Sequence, residues 1–500
     1  MKKIIFFVFG VLFIWSCEKE NPDQIIDQTQ LSLDAQKLLS VEEVNEYIAD
    51  QLKTKGDVVW LDAPAVILWS AAVHGNNVLS IGYGNAGESF SKAQQSPRLS
   101  KAKSDVIAIV EKTEQNGKTA VKVVDDDILN VMDIQVTRLE TVVELKAADQ
   151  IRYIDPIGYN LYLKESGIYE KSGLGCDRDG QTIHGDDYRV ITPNAWLPWN
   201  FDIHKVPQAW NYSTGSGITV GLIDSGISAG QRLLGNGFNS GDSNNRSIER
   251  FGTYIDSPWW WSDNLDGPND LCGHGTSMAS ALASPRNNTN MPVGVAYNCN
   301  LIAYRGTSDV VLNDYHERKG VSNALKALGD RSDVKIISMS IGYPWSIGNV
   351  KDAVKYAHSK GKLIIAAGGT STTFTNWYGV IFPASMSEAV AVTGLKDNGY
   401  NRCNVCHDGS KIDFTIVMQR AGDANRNVPV IGFDTGVTDY VSGSSVATAM
   451  TAGIAALVWA RNPNMSREQV LDKLKRSGEF YPNRNNKFGY GNINALKAVQ

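Results

Sequence analysis

Positive charge is scarce in this chain: 48 Lys and Arg stand against 53 Asp and Glu over 500 residues, a formal net charge of -5. Without a basic excess there is no electrostatic footprint for nucleic acid, and that class of partner is set aside. Long apolar runs are scarce too. After the first seventeen residues no segment is expected to be long and apolar enough for a transmembrane helix. No internal repeat is visible, and no set of His, Cys, Asp and Glu has a spacing that assigns a metal site. What remains is ordinary for a globular chain with a large core: 42% hydrophobic and 20% charged, at a length that allows two or three domains.

The N-terminus stands apart. Lys2 and Lys3 precede the apolar run Ile4–Trp15, which is too short to span a bilayer comfortably and ends at Ser16-Cys17. This resembles a bacterial lipoprotein signal, in which Cys17 becomes the lipidated first residue of an exported, envelope-anchored protein. Removing Cys17 leaves Cys176, Cys272, Cys299, Cys403 and Cys406. An oxidising compartment favours disulfides, and an odd count leaves one thiol over. Cys403-Asn-Val-Cys406-His407 also fits the C-x-x-C-H pattern of covalent haem attachment, although no axial partner accompanies it.

The rest of the chain divides by pattern. Residues 18–104 are mixed and begin with a polar, helix-favouring linker, Asp27–Lys55. Residues 105–160 read as a small α+β domain, with strands at Asp105–Val110, Met132–Val136 and Ile151–Ile154 and a helix at Thr141–Asp149. Residues 161–199 read as a connecting region. From about 200 to 500, apolar strands (Ile218–Ile223, Val334–Ser340, Leu363–Ala367, Ala389–Val392) alternate with amphipathic helices, the pattern of a parallel sheet covered on both faces. Working residues in such sheets gather at the carboxyl ends of strands.

Three short stretches carry chemistry. Asp224 ends an apolar strand in Gly221-Leu-Ile-Asp-Ser-Gly, where a carboxylate costs free energy unless it is held. His274 sits between glycines in Gly273-His-Gly-Thr at the start of a helical run. Ser444 and Ser445 head the small-residue run Gly443–Gly453. Each alone has a structural explanation, as turn cap, satisfied histidine or helix N-cap. In the order Asp, His, Ser they gain a joint one. The carboxylate fixes the imidazole tautomer, and the imidazole takes a proton from a serine whose helix N-terminus favours a developing oxyanion.

Here the chain resembles the subtilisin-like serine peptidases, the subtilases. The blocks Ile223-Asp-Ser-Gly, Gly273-His-Gly-Thr and Gly443-Ser-Ser-Val-Ala stand in that family's order. Gly294–Asn298, Ser338–Gly342 and Phe488–Asn494 resemble its supporting blocks. The resemblance implies a three-layer α/β sandwich and peptide hydrolysis by a triad of Asp224, His274 and Ser445. It implies that substrate backbone pairs with Ser340, Ile341 and Gly342, and that Ala366, Ala367 and Gly368 wall the specificity pocket. It also makes 105–160 an inhibitory propeptide cut from the enzyme somewhere between 155 and 199. Chemistry would need no cofactor; calcium is common in the family, without a ligand set here that assigns it.

Departures from the family pattern matter. Where the family places the Asn whose amide binds the oxyanion, this chain has Gly369, leaving the Ser445 N–H, with Thr370 or another nearby side chain as a candidate substitute. Restoring Asn at 369 is expected to raise turnover. The missing donor also motivates an alternative: a subtilase-fold pseudoenzyme that binds peptides or a protein partner. Asp224 and His274 lie fifty residues apart, and the excess holds Trp259-Trp260-Trp261, a substrate-facing flap or a loop packed on the protein's own surface. Ala449 replaces a family proline near the nucleophile.

Overall fold

Ser40 starts the first helix, α1 (Val41–Lys55). Its hydroxyl accepts from Glu43 N–H while the Glu43 carboxylate accepts from Ser40 N–H, a reciprocal cap. Val44, Ile48 and Leu52 recur at helical spacing and are buried, so this stretch of the expected linker is a packed part of the fold. Helix α2 (Ala65–His74), strand β1 (Val78–Tyr83), helix α3 (Pro97–Glu114), strands β2 (Val123–Asp125) and β3 (Val131–Gln135), helix α4 (Leu139–Ala147) and strand β4 (Ile151–Asp155) follow. They build an antiparallel sheet in the order β2-β3-β1-β4. The computed structural model describes residues 37–91, 96–114, 122–161, 175–370 and 379–500. The signal-like run and Cys17 lie outside them.

Asp105–Val110, expected as a strand, is instead the middle of α3. Leu99, Ala102, Val106, Val110 and Thr113 bury one helical face, while Lys101, Glu111 and Lys112 stay in solvent. A short apolar run does not distinguish the two periods on its own; the flanking charges do. The sheet takes β1 from the zone before residue 105, so the N-terminal layer reaches back at least to α1.

The larger sheet has seven strands: β5 (Thr219–Asp224), β6 (Ile248–Gly252), β7 (Asn300–Arg305), β8 (Val334–Met339), β9 (Leu363–Ala367), β10 (Ala389–Lys396) and β11 (Phe414–Gln419). Their order is β11-β10-β9-β8-β5-β7-β6, and every pairing is parallel. Strands β5 and β9 are buried along their whole length, as a sheet covered on both faces requires. Ile223, Ile337 and Ile364 pack toward helices α6 (Tyr315–Asp330) and α7 (Gly348–Ser359). Val220, Ile336 and Ile365 pack on the other face toward helices α5 (His274–Ala283) and α8 (Gly443–Arg461). The fold is the expected three-layer α/β sandwich. By length and composition α8 could cross a membrane, contrary to expectation, but 89% of its apolar window is buried inside the protein. Its small residues make it a core helix.

The N-terminal layer sits on α6 and α7. Arg152 forms a buried ion pair with Asp352 at 2.8 Å; Lys319 and the Tyr315 hydroxyl both reach Asp133 at 2.8 Å. Trp260 is 3% exposed and packs with Val78, Ile157 and Tyr315. The three-tryptophan loop therefore packs against the N-terminal layer, and none of its residues lines the cavity described below.

Residues from Gly175 onward, expected as part of a connecting region, pack on the larger domain. Gln181 N–H donates to Thr438 O at 2.7 Å, and buried Asp187 takes Arg420 and Arg426 at 2.9 and 2.7 Å. Cys176 is disulfide-bonded to Cys272, and Cys403 to Cys406, leaving Cys299 as the odd thiol, buried and pushed up to about 12 by that burial. With Cys403 and Cys406 bonded to each other, neither thiol is available for haem, which corrects that reading of the motif.

Candidate active site

The order reversal of the large sheet lies between β5 and β8, where ligands of open parallel sheets bind beyond the strand ends. Asp224 is the last residue of β5 and 1% exposed. Its Oδ1 accepts from the Nδ1–H of His274 at 2.7 Å and from Ser225 N–H at 2.8 Å; no hydrogen-bond partner is found for Oδ2 among the described residues. His274 is the first residue of α5. Its neighbour Gly273 has φ +97°, and a Cβ there would lie 1.9 Å from Asp177 O, so only glycine lets that chain pass. Burial opposes charge on the imidazole, but Asp224, backed by Asp270 and Asp309, outweighs it and raises the His274 pKa above its usual 6.5.

Asp270, which sequence reading missed, ties this corner together. Its buried carboxylate accepts from Ser225 Oγ (3.0 Å), Cys272 N–H (2.8 Å) and Gly273 N–H (2.8 Å) through one oxygen. The other oxygen takes Thr276 N–H (3.0 Å) and Thr276 Oγ (2.6 Å). Ser225 Oγ in turn accepts from Gly275 N–H at 2.9 Å. One carboxylate thus caps the His274 helix and binds it to the residue next to Asp224. A sequence signal existed: an Asp three residues before the glycine of the histidine turn.

Ser445 lies in the first turn of α8, 8% exposed. Its hydroxyl points to Ser340 O at 3.4 Å, while Ser340 Oγ donates to Ser445 O at 2.9 Å. His274, Ser445, Ser340, Ile341, Gly342, Ala367 and Gly369 all line one cavity of about 590 Å³. Ala366 and Gly368 do not. Side chains alternate along the strand, Ala366 is fully buried, and a Cβ on Gly368 would meet Ile412 at 2.6 Å. The expected wall thus reduces to Ala367.

These geometries sit on a chain whose residues 215–491 match the Subtilase family model. The chain belongs to the subtilase family. It is a subtilisin-like serine endopeptidase. This subtilase is 26% identical over 302 residues to thermitase of Thermoactinomyces vulgaris, covering 59% of this chain and 93% of that one. It is 29% identical over 314 residues to alkaline elastase YaB of Bacillus sp. (strain YaB), covering 62% and 72%. The solved structure of fervidolysin from Fervidobacterium pennivorans superposes with a TM-score of 0.59 at 17% identity, over 85% of this chain and 61% of that one; that likeness speaks to fold.

At the position expected to hold the family's asparagine, the subtilase has Gly369 with φ +124°, and a Cβ there would lie 2.5 Å from His407 Nδ1. Gly369 N–H donates to Ser444 Oγ at 3.1 Å, and the Thr370 and Ser444 hydroxyls are 3.3 Å apart. His407 Nδ1–H donates to Gly379 O, 3.0 Å away, and its ring fills the space beside Gly369. The expectation that asparagine restores a donor is therefore revised: Gly369→Asn places an L side chain in a conformation it rarely adopts and drives it into His407. We predict lower thermal stability and no gain in turnover, checked by melting and by hydrolysis of a peptide ester. Among the described residues no group of three or more His, Cys, Asp or Glu could hold a metal ion.

Proposed function

We propose that Asp224, His274 and Ser445 carry hydrolysis of peptide bonds through an acyl-enzyme. Ser445 Oγ attacks the scissile carbonyl while His274 Nε2 takes its proton; the same nitrogen then protonates the departing amine. A water activated by His274 releases the acyl group. Asp224 holds the imidazole in the tautomer that leaves Nε2 free and stabilises the imidazolium. The 2.7 Å His274–Asp224 bond beside a cavity shared with Ser445 is the observation that carries this reading. The Ser445 hydroxyl now faces Ser340 O and must turn to His274, a tightening expected when substrate binds. The Ser445 N–H at the helix N-terminus receives the oxyanion, and Thr370 is the side-chain donor in place of asparagine. Losing such a donor costs about 10²–10³ in turnover, a figure that comes from subtilisin itself. Thr370→Val should fall by that order; His274→Ala should abolish hydrolysis of a peptide ester. A fully active His274→Ala would overturn the assignment.

Substrate backbone pairs with Ser340, Ile341 and Gly342 as an added strand, with Ala367 beside the pocket. The N-terminal layer, from α1 to Leu161, acts as the inhibitory propeptide; its buried pairs with α6 and α7 support this. Leu161 N–H bonds to the hydroxyl of Tyr343, and both Tyr343 and Gly175 line the cavity. We place processing between them, in residues outside the described set, with the catalytic unit beginning by Gly175. Cys17 anchors the precursor through lipid in the cell envelope. Cleavage leaves the enzyme held to the anchored piece by noncovalent contacts, so mild denaturant releases it, whereas Ser445→Ala stays one anchored chain. A mature N-terminus beyond Cys176, with release requiring reductant, would contradict the placement.

Docking should depend on pH through Asp155, which accepts Gly348 N–H at 2.6 Å. Burial raises its pKa from 3.8 to about 7, against the Gly348 bond, Arg318 and Lys351. The docked state therefore binds the proton better. This group's stabilisation is full below 3.8 and lost as pH rises through about 7. Asp155→Asn should flatten that part of the melting profile of the Ser445→Ala chain; an unchanged profile would refute it.

A further inference from the structure

Residues Cys176–Gln181 precede the stretch matched to the family, yet Cys176, Asp177 and Gln181 line the same cavity as Ser445 and His274. The segment is fixed along its length. Gly175 abuts Val310, whose carbonyl accepts from Gly342 N–H at 3.1 Å. Cys176 is bonded to Cys272, two residues before His274, and Asp177 O presses on Gly273. At the far end Gln181 N–H donates to Thr438 O at 2.7 Å, and Thr438 Oγ donates to Gln181 O at 2.8 Å. Downstream, His184 N–H donates to the Tyr440 hydroxyl at 2.9 Å, and Asp187 is clamped by two arginines. A segment tied this way stays when the propeptide leaves.

It faces the hairpin of β12 (Val428–Ile431) and β13 (Thr438–Val441), which runs into Ser445. On this flank Asp177 and Asp439 line the cavity, and no Lys or Arg does among the described residues. Burial, then Asp177 and Asp179, raises Asp439 to about 6, so it is anionic at neutral pH. The acyl side of a substrate pairs with Ser340–Gly342 on the other flank, so this flank meets the residues after the scissile bond.

We infer that the stapled segment Cys176–Gln181 is a permanent wall of the cleft that, with Asp439, selects substrates bearing Lys or Arg on the leaving-group side. This rests on the triad reading above. The test uses the mature enzyme and two quenched peptides that differ only in Lys or Glu at the two positions after the scissile bond. We expect kcat/KM to favour Lys by roughly fivefold or more at low salt, shrinking as salt rises. The ratio should fall toward unity in Asp177→Asn and further in Asp177→Asn/Asp439→Asn. It should also fall in Cys176→Ser, which unfastens the wall. An absent preference, or one unchanged in Asp177→Asn and in the double variant, overturns the inference. So does mature enzyme whose mass lacks residues 176–181. A short ester without leaving-group residues reads the triad separately: if it is not turned over, the triad reading fails and this one with it.

Discussion

Ser445→Ala should reduce peptide turnover by about 10⁶-fold, the size of the loss when subtilisin itself gives up its serine. The residual rate would come from binding and the oxyanion donors alone. The variant should fold as wild type, because the side chain contributes one long contact to Ser340 O at 3.4 Å. The same change should stop self-processing, so the chain keeps its N-terminal layer and its full length on a reducing gel. Turnover within tenfold of wild type would assign the nucleophile elsewhere, with the neighbouring Ser444 as the first place to look. Its hydroxyl is committed to Gly369 N–H and Thr370, which argues against that role.

The second large effect is at Asp270. Asp270→Ala leaves the N–H groups of Cys272, Gly273 and Thr276 without their acceptor in a buried corner. Each unsatisfied donor costs about 1–3 kcal/mol. The His274 turn would also shift against Asp224, and a displacement of about 1 Å costs about 10² in rate. Both stability and turnover should therefore fall. Asp270→Asn separates position from charge. Its amide oxygen still accepts from Cys272 and Gly273 N–H, its NH2 faces the Thr276 N–H that Oδ2 accepted, and the charge that helps raise the His274 pKa is gone. Since the base works as neutral imidazole, activity should rise with pH through a limb above 6.5 in wild type and through a lower limb in Asp270→Asn. A purely structural residue would lower kcat/KM without moving that limb. Its measurement is the pH profile of kcat/KM for the two proteins.

How much of this was legible in the sequence depends on the kind of signal. The parallel sheet was legible because β5, β8, β9 and β10 are buried nearly throughout and read as mostly apolar runs alternating with amphipathic helices. The relation of Asp224 to His274 was legible because Asp224 closes an apolar strand two residues before Gly226 and His274 stands between glycines at a helix start. Helix α3 was misread, since its apolar centre has no period by itself and only the charges around it show the face. Ala366 and Gly368 were misplaced by one residue of alternation. Asp270 acts mostly within its own turn, on Cys272, Gly273 and Thr276, so its place three residues before Gly273 was a readable local signal. Cys176 and His407 act across longer separations, Cys176 reaching Cys272 over 96 residues. His407, whose N–H donates to Gly369 O, blocks that glycine from a separate part of the chain, where no local pattern points. The N-terminal layer looked shorter than it is because α1 and α2 are joined to its core by β1, whose partners come later in the chain.

An activated Ser445 nucleophile underlies every step of the proposed hydrolysis. Its most direct test is reaction of the mature protein with a fluorophosphonate, followed by mapping the adduct by mass spectrometry. One adduct is expected, on Ser445, absent in Ser445→Ala and in His274→Ala. No adduct in folded, processed protein, or an adduct retained without His274, would contradict it and favour a peptide-binding protein on a peptidase fold.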